Sequence, residues 1–480
     1  MAGATAKLAQ SVLAIEYNDL PASAVQKTNE ILLDSIGCAL GAYVTERAKI
    51  ALQLGEAFGT RPEATVIGYR KLSCPAASFV NSELINCMDF DVIGPVTGHV
   101  VPYVISSVLA IGEKIEATGK DFITALAIAL DVGGRAVGSL SGHKLPKDEP
   151  PYFEEAPRAS YNSTIFGAVA GACWLLGMSE GQMRSALGIG GMSTPIPGNV
   201  KWEYLDDSGV NVNLKYGCWT GWVAMLGTVA ALAAQRGFRG DNTILDGKFG
   251  YWQMYGSPFF RQDILLGNLG KVWRLEEASF KFYPCCYCNH AAILGIERLV
   301  RENNIKPEDI DEIVVYGDPL LETSIRWPKE IRTNEDAQFS NAYLFAQAAC
   351  YDGHPGPQWH LSSSWESPKV KNLMPKVKTK LHPRAEEIMA EKFKAGGVTV
   401  FFNSIVEISA NGRKFTAEVP APKGSPSNPM TIAEIENKFR HNALYSLIKQ
   451  DKVDQIIEVV WNLDKLDNVA KLTALLAIDE

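Results

Sequence analysis

The eleven residues Phe280–His290 read FKFYPCCYCNH, crowding lysine, tyrosine, three cysteines and histidine together. Polar groups of this kind are costly in an apolar core, because they need partners and burial resists their charging. They suit a cavity wall, where Lys281 holds an anion, Tyr283 or His290 moves a proton, and Cys286 lines the cleft. The same residues also fit plain packing, with Phe280, Phe282 and Tyr283 anchoring a helix start and the thiols filling space. A second constellation is Asp89 and Asp91, followed eight residues on by His99. Histidine titrates near neutral pH, and a carboxylate can fix its tautomer, so this group suits acid–base work.

A structural zinc site is not expected. Tetrahedral zinc usually draws on two separated ligand pairs. Cys285, Cys286, Cys288 and His290 lie too close together for that, and Cys38, Cys74, Cys87, Cys173, Cys218 and Cys350 are isolated in apolar runs. Nine cysteines without regular spacing argue for a reducing setting, and a cytoplasmic enzyme is expected. The net charge of −8 disfavours a nucleic-acid surface, so a small anionic ligand needs local cations. The first 17 residues lack a basic segment followed by an apolar block, so no secretory signal is expected. No membrane span is expected either; the runs 123–132 and 222–234 come nearest and read as packed core helices.

At 480 residues the chain exceeds one growing core, so two domains are expected. From residue 4 to about 239 the pattern is helical and apolar. Predicted helices cover 22–43, 76–88, 101–115, 121–137, 164–176 and 181–188, with small residues that let helix axes approach closely. After Leu269 the texture changes. Residues 310–316 alternate like a strand, 396–408 are rich in valine, phenylalanine and isoleucine, and Asn411-Gly412 marks a hairpin. Helical segments are predicted at 290–303, 337–349 and 385–392. A proline- and serine-rich linker spans 420–429, and 431–476 returns to helices. The expected fold is mainly α: a helical domain of residues 1–270 completed by 430–480, with 271–429 as a smaller α+β lid.

Several motifs follow one another in an order that resembles a known family. They are Asp34–Gly41 (DSIGCALG), Val66–Tyr69 (VIGY), Asn81–Asp91 (NSELINCMDFD), Gly217–Gly221 (GCWTG) and Ala233–Phe238 (AAQRGF). Thr243–Gly247 (TILDG), Lys281–Cys286 (KFYPCC) with His290, Asp336–Ser340 (DAQFS) and Lys438–Arg440 (KFR) complete the series. Over nearly its full length the chain resembles the MmgE/PrpD family of 2-methylcitrate dehydratases, cis-aconitate decarboxylases and iminodisuccinate epimerase-like proteins. The resemblance implies a helical domain, an α+β lid, a cleft between them, a homodimer, and chemistry that needs no metal or organic cofactor. It places Asp89 at the first aspartate of the family's D-F-D-D-T-H stretch, His99 at its later histidine, and Lys281 at the lysine before its Y-P.

The departures bear on the substrate. Asp91-Val92-Ile93-Gly94 replaces the family's D-D-T-H. Tyr161 stands where cis-aconitate decarboxylases carry a second catalytic histidine, and Val212 where they carry a lysine, with Lys215 three residues on. Losing a cation from a water-poor cleft costs about 1.5–3 kcal/mol of carboxylate binding, which speaks against cis-aconitate. The expected site is catalytic His99, Tyr161 and Lys281, with Asp89, Asp91, Lys215, Tyr283, Cys286 and His290 binding substrate and no metal. Tyr161 would serve as acid, or as base if Lys215 or Lys281 lowers its pKa. The expected function is lyase chemistry, by proton transfer at carbon next to a carboxyl or carbonyl of a small carboxylate-bearing substrate. The alternatives are an epimerase or isomerase acting on a non-tricarboxylate, and a non-catalytic relative that binds a ligand.

Overall fold

The computed structural model describes residues 3–96, 98–140, 161–196, 198, 202, 212–257, 260–323, 326–328, 330–385, 387–388 and 402–478. It is mainly helical, with one small four-stranded sheet and a two-stranded ribbon. Two apolar clusters organise it. The larger takes residues from Ala4 to Phe280 and resumes at Met430, running to Leu476; the smaller takes Trp202, Tyr216 and residues from Tyr283 to Ala417.

Small residues make the helical part dense. A Cβ built on Gly167, in the Ile165–Leu175 helix, would lie 2.3 Å from the Ala129 carbonyl oxygen and 2.6 Å from Gly133 Cα. The Gly119–Leu140 helix can therefore touch it backbone to backbone. Gly119–Leu140 is long and apolar enough to cross a membrane, yet its most apolar 18-residue stretch is wholly buried among its neighbours, as in a core helix. The Ala22–Gly41 helix packs against Ile432–Ala443, where a Cβ on Gly37 would sit 3.2 Å from Phe439 Cα. That crossing brings the C-terminal helices back onto the N-terminal ones.

The sheet runs Val377–Leu381, Ile310–Gly317, Ser404–Ala410, Arg413–Val419. Its first pair is parallel and the others antiparallel. Asn411 and Gly412 both have positive φ, 51° and 70°, which gives the tight hairpin expected from that dipeptide. Val377–Leu381 has no counterpart in the sequence reading, since its exposed lysines mask a short edge strand. The helix expected over 337–349 is two, Asn334–Phe339 and Asn341–Cys350. Ser340 turns extended between them, and its hydroxyl accepts from the Tyr343 amide to start the second. Residues 396–401 of the expected strand, and 386 and 389–392 of the expected helix, lie outside the described residues.

One carboxyl in the sheet-bearing part has a visible thermodynamic signature. Tyr283 donates to Glu297 at 2.5 Å, and burial raises the Glu297 carboxyl from 4.5 to about 7 despite that bond. The folded state thus favours the protonated form, so stability is full below pH 4.5 and falls as pH rises through about 7. We expect urea denaturation to register roughly 2–3 kcal/mol of this loss between pH 4.5 and 8, and Glu297→Gln to remove it. An unchanged pH slope in the variant would reject the assignment.

Candidate active site

The Cys74–Asn86 helix ends where the site begins. Asp89 takes a positive φ of 53°, turning the chain so that its buried carboxylate faces inward. Ile93 and Ser279 exchange two backbone hydrogen bonds of 2.8 Å, which lays the segment before Lys281 beside the loop carrying Asp89, Asp91 and His99. Lys281 Nζ donates to the Asp89 carbonyl at 2.8 Å and meets its carboxylate at 2.9 Å. Lys215 Nζ lies 3.7 Å from the other carboxylate oxygen. Its ammonium donates to the carbonyls of Asn86 and Cys87 and to Gln338. Tyr216, at φ 55°, directs its hydroxyl to both Asp89 oxygens at 3.1 and 3.2 Å.

His99 bridges the two acids. Its Nδ1 lies 2.6 Å from Asp91 and its Nε2 3.3 Å from Asp89. Asn86 holds the other Asp91 oxygen at 3.2 Å. Nδ1 donates to Asp91 in either charge state of the ring, leaving Nε2 as the atom that can take up or give a proton. Tyr161 closes the group edge-on, 5.6 Å from His99 and 5.6 Å from Tyr216 between ring centroids. Gly98 is required for that approach: φ is 69°, and a Cβ there would sit 1.9 Å from Tyr161 Cε1.

Burial and pairing compete at each charge. Burial pushes Asp89 up, but Lys281, Lys215 and His99 together hold its carboxyl well below the usual range. Burial likewise opposes Asp91, and His99 keeps it low. Lys281 is buried too, yet Asp89 and Asp91 hold its ammonium above the ordinary value. For Lys215 burial wins over Asp89 and lowers it, so Lys215 gives up its proton more readily than Lys281. Burial and the Asp89 charge keep Tyr216 a neutral hydroxyl donor.

The structure thus brings together His99, Tyr161, Lys281, Asp89, Asp91, Lys215 and Cys286, whose thiol lies 3.6 Å from the Tyr216 hydroxyl. It does not bring in Tyr283 or His290. Tyr283 is committed to Glu297 and stacks on Trp359; His290 packs on Tyr283 and Tyr287, with Nε2 3.3 Å from the Cys285 carbonyl. The chain bends over residues 282–285, between Lys281 and the helix that His290 begins. Tyr216, Gln338 and Asn86 are the residues sequence reasoning missed. Each sits inside or beside a quoted motif, but only the left-handed backbone at Tyr216 reveals where that hydroxyl points.

Asp89, Asp91 and His99 offer oxygen and nitrogen atoms within 4.8 Å of one another, the donor types of a cation site. Both Asp89 oxygens already face lysine ammonium groups, so a metal ion would have to displace them. The arrangement suits proton transfer beside a stabilised negative charge. Removing the central carboxylate tests the electrostatics. Asp89→Ala leaves two buried ammonium groups without their counter-charge and should cost about 3–5 kcal/mol in urea denaturation. A loss below about 1 kcal/mol would mean that other groups neutralise the lysines.

The model for the MmgE/PrpD N-terminal domain matches residues 6–261, and that for the MmgE/PrpD C-terminal domain matches residues 283–463. The chain is 25% identical to the cis-aconitate decarboxylase of Homo sapiens, over 98% of this chain and 94% of that protein. It is 26% identical to the cis-aconitate decarboxylase of Aspergillus terreus, over 99% and 96% of the two chains. It is also 26% identical to the cis-aconitate decarboxylase-like protein oryM of Aspergillus oryzae, over 98% and 97%. With both domain models matched in order across most of its length, the chain belongs to the MmgE/PrpD family and is an enzyme of its lyase type.

Proposed function

We propose a cofactor-independent lyase that moves protons at a carbon next to a carboxyl or carbonyl group of a small organic acid. The observation that carries this reading is the convergence of His99, Lys281, Lys215 and Tyr216 on one buried carboxylate, Asp89. His99, oriented by Asp91, removes or returns the proton through Nε2. Lys281 stabilises the enolate-like charge that develops when a proton or carbon dioxide leaves. Tyr161, beside His99, protonates the carbon or the leaving group.

The charge balance bears on the substrate. The named relatives act, by their names, on cis-aconitate, a tricarboxylate. Here the ammonium groups of Lys215 and Lys281 already face Asp89. Lys215, three residues past Val212, is tied to the carbonyls of Asn86 and Cys87. We therefore favour a substrate with fewer carboxylates than cis-aconitate. An epimerase remains the second reading, because His99 and Tyr161 could serve opposite faces of one carbon.

Incubation in heavy water with cis-aconitate, 2-methylcitrate and smaller mono- and dicarboxylic acids, followed by NMR, separates these. Carbon dioxide release or water loss after exhaustive dialysis against a chelator supports the lyase. Deuterium uptake without net product supports the epimerase, and inertness toward every acid overturns the substrate class. On the substrate found, His99→Ala or Tyr161→Phe should lower kcat by about 10²–10⁴. Lys281→Ala should also raise KM, since its ammonium holds the ground-state anion as well. Near-full activity of His99→Ala would remove the core of the mechanism.

For the assembly we propose a two-domain homodimer, residues 1–270 with 430–480 forming the helical domain and 271–429 the lid. The Thr220–Gln235 helix leaves Trp222 and Val229 about 40% exposed, with Trp219 stacked on Trp222 at 6.0 Å. An apolar stripe of that kind calls for cover, and a second copy supplies it. Light scattering at micromolar concentration should give twice the chain mass, and Trp222→Glu should halve it; a wild-type monomer would refute the assembly.

A further inference from the structure

The motif Lys438–Arg440 has no part in the chemistry above, yet Lys438 is 1% exposed and lies directly behind it. It projects from the buried face of the Ile432–Ala443 helix, beside Ile435, Phe439 and Asn442. Its Nζ lies 2.7 Å from Asp34 Oδ1. It also donates to the Phe90 carbonyl at 2.8 Å and to the Lys281 carbonyl at 2.9 Å. Of its three N–H donors, two go to these carbonyls, and Asp34 meets the ammonium as an ion pair. The same nitrogen sits 3.7 Å from the centroid of the Phe90 ring, a contact that further favours a cation there.

The two carbonyls matter because of what they flank. Phe90 lies between Asp89 and Asp91, and Lys281 is the residue whose ammonium meets Asp89. One ammonium from the far C-terminal helix therefore grips the main chain of both partners in the central ion pair. Asp34, on the Ala22–Gly41 helix, fixes that ammonium in turn, and the Cys38 thiol adds a second donor to the Phe90 carbonyl at 3.3 Å. Burial raises Asp34, and Lys438 is the charge that opposes it.

We propose that Lys438, anchored by Asp34, is a positioning residue of this active site. It sets the spacing between the Asp89 carboxylate and the Lys281 ammonium without reaching substrate. The inference rests on the proposed role of that pair in stabilising developing negative charge. When the grip is lost the two segments separate, and burial, no longer offset by Asp89, pulls the Lys281 ammonium toward its neutral form. Turnover then fails on the alkaline side first.

Lys438→Met alone leaves Asp34 buried without its cation and can fail to fold, so the decisive variant is the double replacement Asp34→Leu with Lys438→Met. It removes both charges and keeps the bulk, an exchange that buried pairs often tolerate. In its crystal structure we expect the Asp89–Lys281 contact to open beyond 4 Å while the Ile432–Ala443 helix stays in place. In kinetics we expect kcat to fall ten- to a hundredfold with KM changed less than about threefold, and the alkaline limb to move down by about one pH unit. Lys438→Arg, which keeps charge but not the compact three-donor head, should fall between wild type and the double variant. An Asp89–Lys281 distance still near 2.9 Å in the double variant would overturn the proposal, as would an unmoved pH profile. If wild type turns over no carboxylic acid at all, the functional reading has failed instead, and the crystal structure alone still decides the positioning role.

Discussion

A carboxylate and an ammonium shut away from water stay charged only while they hold each other, and Asp89 and Lys281 are such a pair. Isolated burial costs several kcal/mol per ion, and the attraction offsets it only at close, well-bonded geometry. That requirement reaches far into the chain. The carboxylate needs the positive-φ turn at Asp89, and the ammonium needs its segment laid along the loop through Ile93 and Ser279. Tyr216 and Lys215 must arrive on a second left-handed turn, and the C-terminal helix must return to grip the backbones from behind. The helical packing between Ala22–Gly41 and Ile432–Ala443 thus serves the chemistry as well as the core.

The same pair bears on the proposed substrate, one with fewer carboxylates than a tricarboxylate. A cation available to substrate must have charge to spare, whereas Lys281 and Lys215 both already face Asp89. Lys215 reaches Asp89 from a turn on a different segment. Its donors are spent on the main chain below Asp89, so it supports the carboxylate rather than extending toward a ligand. Burial then leaves it the weaker ammonium of the two.

Much of this was legible from residue types. The apolar periodicity of 22–43 and the Asn411-Gly412 pair dictate a helix and a hairpin because local sterics suffice for both. Asp89, His99 and Lys281 stood out because charged groups inside apolar runs need a reason to be there. Tyr283 and His290 looked equally eligible, since spacing cannot show that they meet Glu297 and Tyr287 instead. Tyr216 stayed hidden for the converse reason. A tyrosine before a glycine is unremarkable until its backbone proves left-handed and its hydroxyl falls on Asp89. Lys438 was visible only as part of a motif, because its partners lie 157 and 348 residues away.

Where the family resemblance implies an imidazole, the phenol of Tyr161 gives the proposed mechanism a direction. An imidazole titrates near neutrality and works equally as donor or acceptor, while a phenol, ordinarily near 10, is chiefly a donor. Its ring stands edge-on to His99 and against the bare backbone of Gly98, so the hydroxyl bearer is fixed beside the base rather than free to swing. Two-base epimerisation needs a group on each face able to take a proton and give it back. One imidazole that takes and one phenol that gives instead favour a reaction running one way, with a proton lost or carbon dioxide released and the carbanion then quenched. The phenol of Tyr161 and the two lysines facing Asp89 are thus the features on which the proposed lyase, with a less charged substrate, rests.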